Sequence, residues 1–169
     1  GAEEHPAPGD AQQRRDDIAV LAKQHRHIIG TSQRIALNAH LWHLEHDFQD
    51  VYRRLAARVE AGEKGTRSEE WLLDNRHVVQ EALELVRESL PRSYLKQLPR
   101  IAAGSGQKEL RVRSLAAGLI ADLQQPLDME LVRELVEHYQ GESFLTTGEL
   151  WALPAMLRLH LLEILADLA

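Results

Sequence analysis

Between Leu37 and Leu55 the apolar residues Leu37, Leu41, Leu44, Phe48, Val51 and Leu55 recur at alternating spacings of four and three. That spacing puts all of them on one narrow stripe of a long helix and does not fit the two-residue period of a strand. The helix is expected from about Ser32 to Ala61, where Gly62-Glu63-Lys64-Gly65 ends it. A second stripe, Leu72, Val79, Leu83, Val86 and Leu90, follows a start at Thr66 or Ser68, with Thr66 and Glu69 at capping-box spacing, and stops at Pro91. Neither stripe is stable in water alone, so the two helices are expected to bury their stripes together as an antiparallel hairpin.

The rest of the chain reads as helix with turns between. Asp10 is placed to cap a helix to about Ile29, closed by Gly30, with Ile18, Leu21 and Ala22 on one side. Pro91, Pro99, Gly104 and Gly106 divide the next stretch into a connector with room for one short helix. Further helices are expected over Lys108–Leu123, closed by Pro126, and Met129–Tyr139, capped by Asp128 and closed by Gly141. A last helix follows Thr146 or Thr147, where Thr146 and Glu149 again have capping-box spacing. Pro154 inside it predicts a kink or a fresh start. No strand alternation stands out. The expected fold is therefore all-α, an irregular bundle of roughly six helices forming a single domain over residues 10–169. Residues 1–9, with Pro6, Pro8 and Gly9 among polar groups, read as a flexible tail or vector remnant, and the absence of an initial Met suggests a piece excised from a larger protein.

Charge and composition exclude several functions. With 26 acidic against 20 basic side chains, the net charge of −6 repels a phosphate backbone, so nucleic acid is not an expected partner. No cysteine is present, which removes disulfides, thiolate metal sites and cysteine nucleophiles. Glu149, Arg158, His160 and Glu163 interrupt the most apolar stretch before it reaches the ~20 residues a membrane span needs. The acidic, polar start is not that of a signal peptide. Neither a glycine-rich phosphate loop nor a nucleophile elbow nor a histidine-glutamate zinc helix occurs, so no catalytic constellation is visible.

An ordered series of segments carries a resemblance. It runs through Glu70-Trp71-Leu72-Leu73-Asp74-Asn75-Arg76-His77-Val78-Val79, Ser89-Leu90-Pro91-Arg92-Ser93-Tyr94, Leu98-Pro99-Arg100-Ile101-Ala102, Val136-Glu137-His138-Tyr139-Gln140 and Leu150-Trp151-Ala152-Leu153-Pro154. Together these resemble the N-terminal helical region of the cyclic β-1,2-glucan synthases, large bacterial inner-membrane enzymes. The resemblance implies that the transferase, which uses UDP-glucose and a divalent metal, and a phosphorylase-like domain lie elsewhere in the parent polypeptide. It also implies that this region sits on the cytoplasmic side of the membrane and that its partners are the catalytic domains of the same chain. It transfers no catalytic residue and no cofactor to this stretch.

Three functional readings follow. The first is a non-catalytic accessory domain that packs on the catalytic domains through exposed Leu or Trp near the last helix. The second is a glucan- or oligosaccharide-binding module, with Trp71, Asn75, His77, Tyr94 and Trp151 as candidate stacking and hydrogen-bonding groups. Against it, Asn75 and His77 also suit a hydrogen-bonded helix junction, and Trp151 beside Glu149 suits a core anchor next to a capping carboxylate. The third is a metal-binding bundle in which His40, His43 and Asp47, on one flank of the long helix, direct two imidazoles and a carboxylate to a divalent ion. A solvated flank beside an apolar stripe has the same composition.

Overall fold

The computed structural model describes residues 8–31, 37–102, 107–121 and 128–169. Eight helices and three short strands occur among them. They form two compact units. The first comprises the described residues within Gly1–Ser32 and Gln97–Leu153, and the second those within Gln33–Lys96 and Pro154–Ala169.

The second unit is built on the long stripe. Helix α2 (Leu37–Glu60) buries Leu37, Leu41, Leu44, Phe48, Val51, Tyr52 and Leu55, and two helices pack against it, α3 (Arg67–Asp74) and α4 (Arg76–Ser89). The single helix expected here is broken at Asn75. Its backbone N–H and its side-chain Nδ2 both donate to the Trp71 carbonyl at 2.9 Å, and its φ and ψ of −108° and 24° leave the helical region. An asparagine amide competes with the helix for backbone partners, and here it closes one helix and lets the next begin at a new angle. The capping box at Thr66 forms as expected: Glu69 N–H donates to Thr66 Oγ1 at 3.3 Å and Thr66 N–H donates to Glu69 Oε2 at 2.7 Å. Helix α5 (Arg92–Leu95) is the short helix expected in the connector.

Inside this unit Tyr52 stacks on Phe48, its ring lies 4.9 Å under the Arg76 guanidinium, and its hydroxyl is buried with no hydrogen-bond partner among the described residues. Burial raises the phenol pKa, against a smaller lowering by Arg76. An orphaned buried hydroxyl costs desolvation free energy with nothing in return, so Tyr52→Phe is expected to raise unfolding free energy by about 1 kcal/mol. A urea midpoint that falls instead would show that the hydroxyl is bonded.

The first unit departs further from expectation. Helix α1 (Pro8–Gln24) stops short of Ile29, and Ile28–Thr31 form strand β1. It pairs antiparallel with β2 (Pro99–Ala102), which pairs antiparallel with β3 (Lys108–Leu110), so the fold is predominantly all-α with one small sheet. Gly30 does not end a helix. It lies at φ +112° where the β1–β2 register slips, the position at which a bulge favours glycine. The helix expected from Lys108 begins at Arg111, as α6 (Arg111–Leu119), directly after β3. Its expected end at Leu123 and Pro126, like the tail before Pro8 and Gly104 and Gly106 of the connector, falls outside the described residues.

Helix α7 (Met129–Glu142) is capped as expected, with Glu130 N–H donating to Asp128 Oδ1 at 2.9 Å, and runs past Gly141. It packs along α1. Gly118 lets α6 approach α1 closely, because a Cβ there would fall 2.5 Å from a Leu21 methyl. Helix α8 (Thr147–Leu168) continues through Pro154, the residue at which the two units divide.

Candidate functional site

The most concentrated chemistry lies in the first unit, where β3 passes into α6 and a short loop leads into α8. Arg111, the first residue of α6, and Glu149, in the first turn of α8, are both buried. Arg111 Nε donates to Glu149 Oε2 at 2.9 Å and Nη2 donates to Oε1 at 2.5 Å, a two-pronged pair matching the planar guanidinium to the planar carboxylate. Two further guanidinium N–H groups are used as well: Nη1 donates to Ser143 Oγ at 3.1 Å and Nη2 to the Phe144 carbonyl at 2.9 Å. Glu149 in turn accepts from Thr146 N–H at 3.0 Å, while its own N–H donates to Thr146 Oγ1 at 3.1 Å. The second capping box thus forms as expected, and its carboxylate does double duty as the counter-ion of a buried arginine. The bonds to Glu149 raise the Arg111 pKa, outweighing its desolvation.

Beside this pair runs a second polar line. His25 is buried, with Nδ1 2.9 Å from Tyr139 Oη and Nε2 3.0 Å from Ser114 Oγ. The imidazole links the end of α1 to α7 and α6. Desolvation, helped by the Arg111 charge and opposed by Glu149, lowers its pKa to about 4, so the ring is neutral near pH 7. Burial pushes the Tyr139 phenol well above its ordinary range, which keeps its proton available to donate. A serine 3.0 Å from an imidazole is half of a nucleophilic dyad. Here, however, the other ring nitrogen meets a phenol rather than an orienting carboxylate. The line fixes a tautomer and joins three elements.

Two aromatic residues close in sequence to this polar cluster are exposed. Phe144 is 84 % exposed and Trp151 is 77 % exposed, with Leu150 also on the surface. The expectation that Trp151 packs in the core is therefore corrected. Ala152 and Leu153 take the inward positions of this turn, and their neighbour Trp151 is turned outward by the helical step.

The other candidates lie in the second unit. Trp71 is 47 % exposed, Asn75 is half-buried and bonded to the Trp71 carbonyl, His77 is exposed, and Tyr94 is half-buried in α5. The structure joins Trp71 to Asn75 at the α3–α4 break, while Trp151 belongs to the first unit. His40 Nε2 lies 3.6 Å from Glu163 Oε2, His43 is exposed with its ring edge-on to Trp42, and Asp47 lines an open surface cleft with Asp50, Arg53, Arg54 and Asp167. Among the described residues no three His, Asp or Glu side chains are grouped so as to hold a metal ion.

Arg111, His25, Ser114 and Tyr139 were not singled out from sequence. The Thr146–Glu149 spacing did mark one partner, but the arginine that completes the pair lies 38 residues away.

No family model matches the chain. It is 42 % identical over 125 residues to the cyclic beta-(1,2)-glucan synthase NdvB of Rhizobium meliloti (strain 1021). The matched stretch covers 74 % of this chain and 4 % of that protein, so the chain spans a small part of its curated relative.

Proposed function

Because the chain is related to the cyclic β-(1,2)-glucan synthases, we propose that it is a non-catalytic helical accessory segment of a glycosyltransferase of that kind, docking on the catalytic domains of the same polypeptide. UDP-glucose and a divalent metal would then be handled by those domains. The segment would lie on the cytoplasmic side of a bacterial inner membrane, held there by spans elsewhere in the parent. Among the described residues no helix is long and apolar enough to cross a membrane.

The observation that carries this reading is the exposure of Phe144 and Trp151, both more than three-quarters exposed, on backbone that adjoins the buried Arg111–Glu149 pair. Large aromatics held rigidly at a surface are the groups that dominate protein interfaces, because they bury much area with little loss of conformational entropy. Arg111 holds the Phe144 carbonyl, and Glu149 lies two residues before Trp151. The backbone that carries these aromatics is therefore held in place.

Trp151→Ser in the full-length synthase tests this. The isolated chain should keep its unfolding midpoint to within about 0.5 kcal/mol, as for an exposed site. Glucan synthesis by the full-length protein should fall by about tenfold or more, the loss of one interface anchor. Unchanged synthesis with the variant would overturn the docking role of this surface.

A further inference from the structure

All three tryptophans of the chain are exposed, and the one on α2 has surroundings unlike the other two. Trp42 is 54 % exposed, yet it is held in place. The His46 imidazole lies against it, tilted by 34° with centroids 3.7 Å apart, and His46 is itself fixed by an Nδ1 contact of 2.8 Å to the Trp42 carbonyl. His43 stands edge-on at 5.1 Å. One turn along the same face, Glu45 receives two groups from α4: Gln80 Nε2 donates to Oε1 at 3.4 Å and Arg87 Nη2 donates to Oε2 at 3.2 Å. The result is an indole plate beside a fixed carboxylate, an amide and a guanidinium, all within the second unit.

We propose that this face of α2 and α4, centred on Trp42 and Glu45, is a binding subsite for a pyranose sugar. The axial C–H groups of a pyranose form an apolar face that packs on an indole, while its hydroxyls donate and accept at once and so need both kinds of partner at the rim. The rim supplies both. Glu45 accepts, Gln80 offers an amide oxygen, and Arg87 has further N–H groups. A phosphorylated or carboxylated ligand is disfavoured by the Glu45 carboxylate. A protein partner would need contiguous apolar area around the anchor, and of the neighbours one turn away on α2, Asn38, Ala39, Glu45 and His46, only Ala39 is apolar. This site shares no residue with the Phe144–Trp151 surface, so either reading can fail without the other.

The test is a titration of the whole chain with a β-1,2-linked glucotriose and, separately, maltotriose, read on the indole N–H signals assigned with Trp42→Phe, Trp71→Phe and Trp151→Phe. The Trp42 signal should move saturably, and Trp42→Ala should weaken binding by about tenfold or more. Glu45→Gln should weaken it severalfold while leaving the unfolding midpoint in place. Movement with either sugar supports the subsite, and a preference for the β-1,2 linkage ties it to the polymer named in the relative. A Trp42 signal unmoved by both sugars to tens of millimolar overturns the proposal. So does an affinity unchanged in Trp42→Ala, or a signal that responds to protein concentration alone.

Discussion

Arg111→Ala is expected to lower the stability of the first unit by about 3–5 kcal/mol, because it leaves Glu149 buried without its counter-ion. The pair is unlike a surface ion pair, whose worth is small. Both partners are out of water, and all four bonds made by the guanidinium are lost together: two to Glu149, one to Ser143 Oγ and one to the Phe144 carbonyl, which leaves Glu149 only the Thr146 N–H among the described residues. Glu149→Ala removes the capping carboxylate as well, so its cost should be at least as large. Replacing both by apolar residues of similar volume, Arg111→Met with Glu149→Leu, should recover most of the loss, since no buried charge then remains. Urea unfolding followed by tryptophan fluorescence measures all four proteins. A loss below about 1 kcal/mol in Arg111→Ala would place the guanidinium in water, contrary to the structure.

The same substitution separates stability from docking. Arg111 holds the Phe144 carbonyl, so on the docking role proposed above, glucan synthesis by a full-length parent should fall even under conditions where Arg111→Ala remains folded. The apolar double variant should regain stability without regaining all of the docking, because no hydrogen bond then holds the Phe144 carbonyl.

Why some of this was legible in the sequence and some was not follows from the range of each interaction. The stripes on α2 and across α3–α4, both capping boxes and the Asp128 cap are encoded within a few residues of themselves, and all appear where the spacing put them. The sheet is different. Its strands are three or four residues long, too short for alternation to stand out, and the Pro99 and Gly30 that read as breakers serve as a strand start and a bulge. The break at Asn75 was partly legible: Asn75 suited a hydrogen-bonded helix junction, but the apolar stripe runs across it undisturbed and read as one helix. The exposed aromatics were half legible: an exposed Leu or Trp near the last helix was expected, but Trp151 was also read as a core anchor from its place at a helix start beside the capping Glu149. Only the position of its neighbours on the helix decides which way it faces. The Arg111–Glu149 and His25–Tyr139 pairs, 38 and 114 residues apart in sequence, carry no local pattern at all.

The pH dependence of stability is expected to fall mainly to His25. Its pKa is about 4 in the folded chain against 6.5 for an exposed histidine. Between these values the unfolded state binds a proton that the folded state refuses, so protonation favours unfolding. The stabilisation from keeping the ring neutral is fully present above about pH 6.5 and is lost as the pH falls toward 4, by an amount on the order of 3 kcal/mol. The cause is structural. Burial penalises a charged ring most, Arg111 adds a like charge beside it, and Glu149 opposes both only in part. His25→Asn keeps a donor and an acceptor and removes the titration. It should be less stable than the parent near pH 7, because the shorter amide reaches its partners poorly, yet lose less stability on acidification. Equal slopes of unfolding free energy against pH in the two proteins between pH 6.5 and 4 would show that His25 is not the group responsible, and that its ring takes up a proton in the folded chain as readily as in the unfolded one.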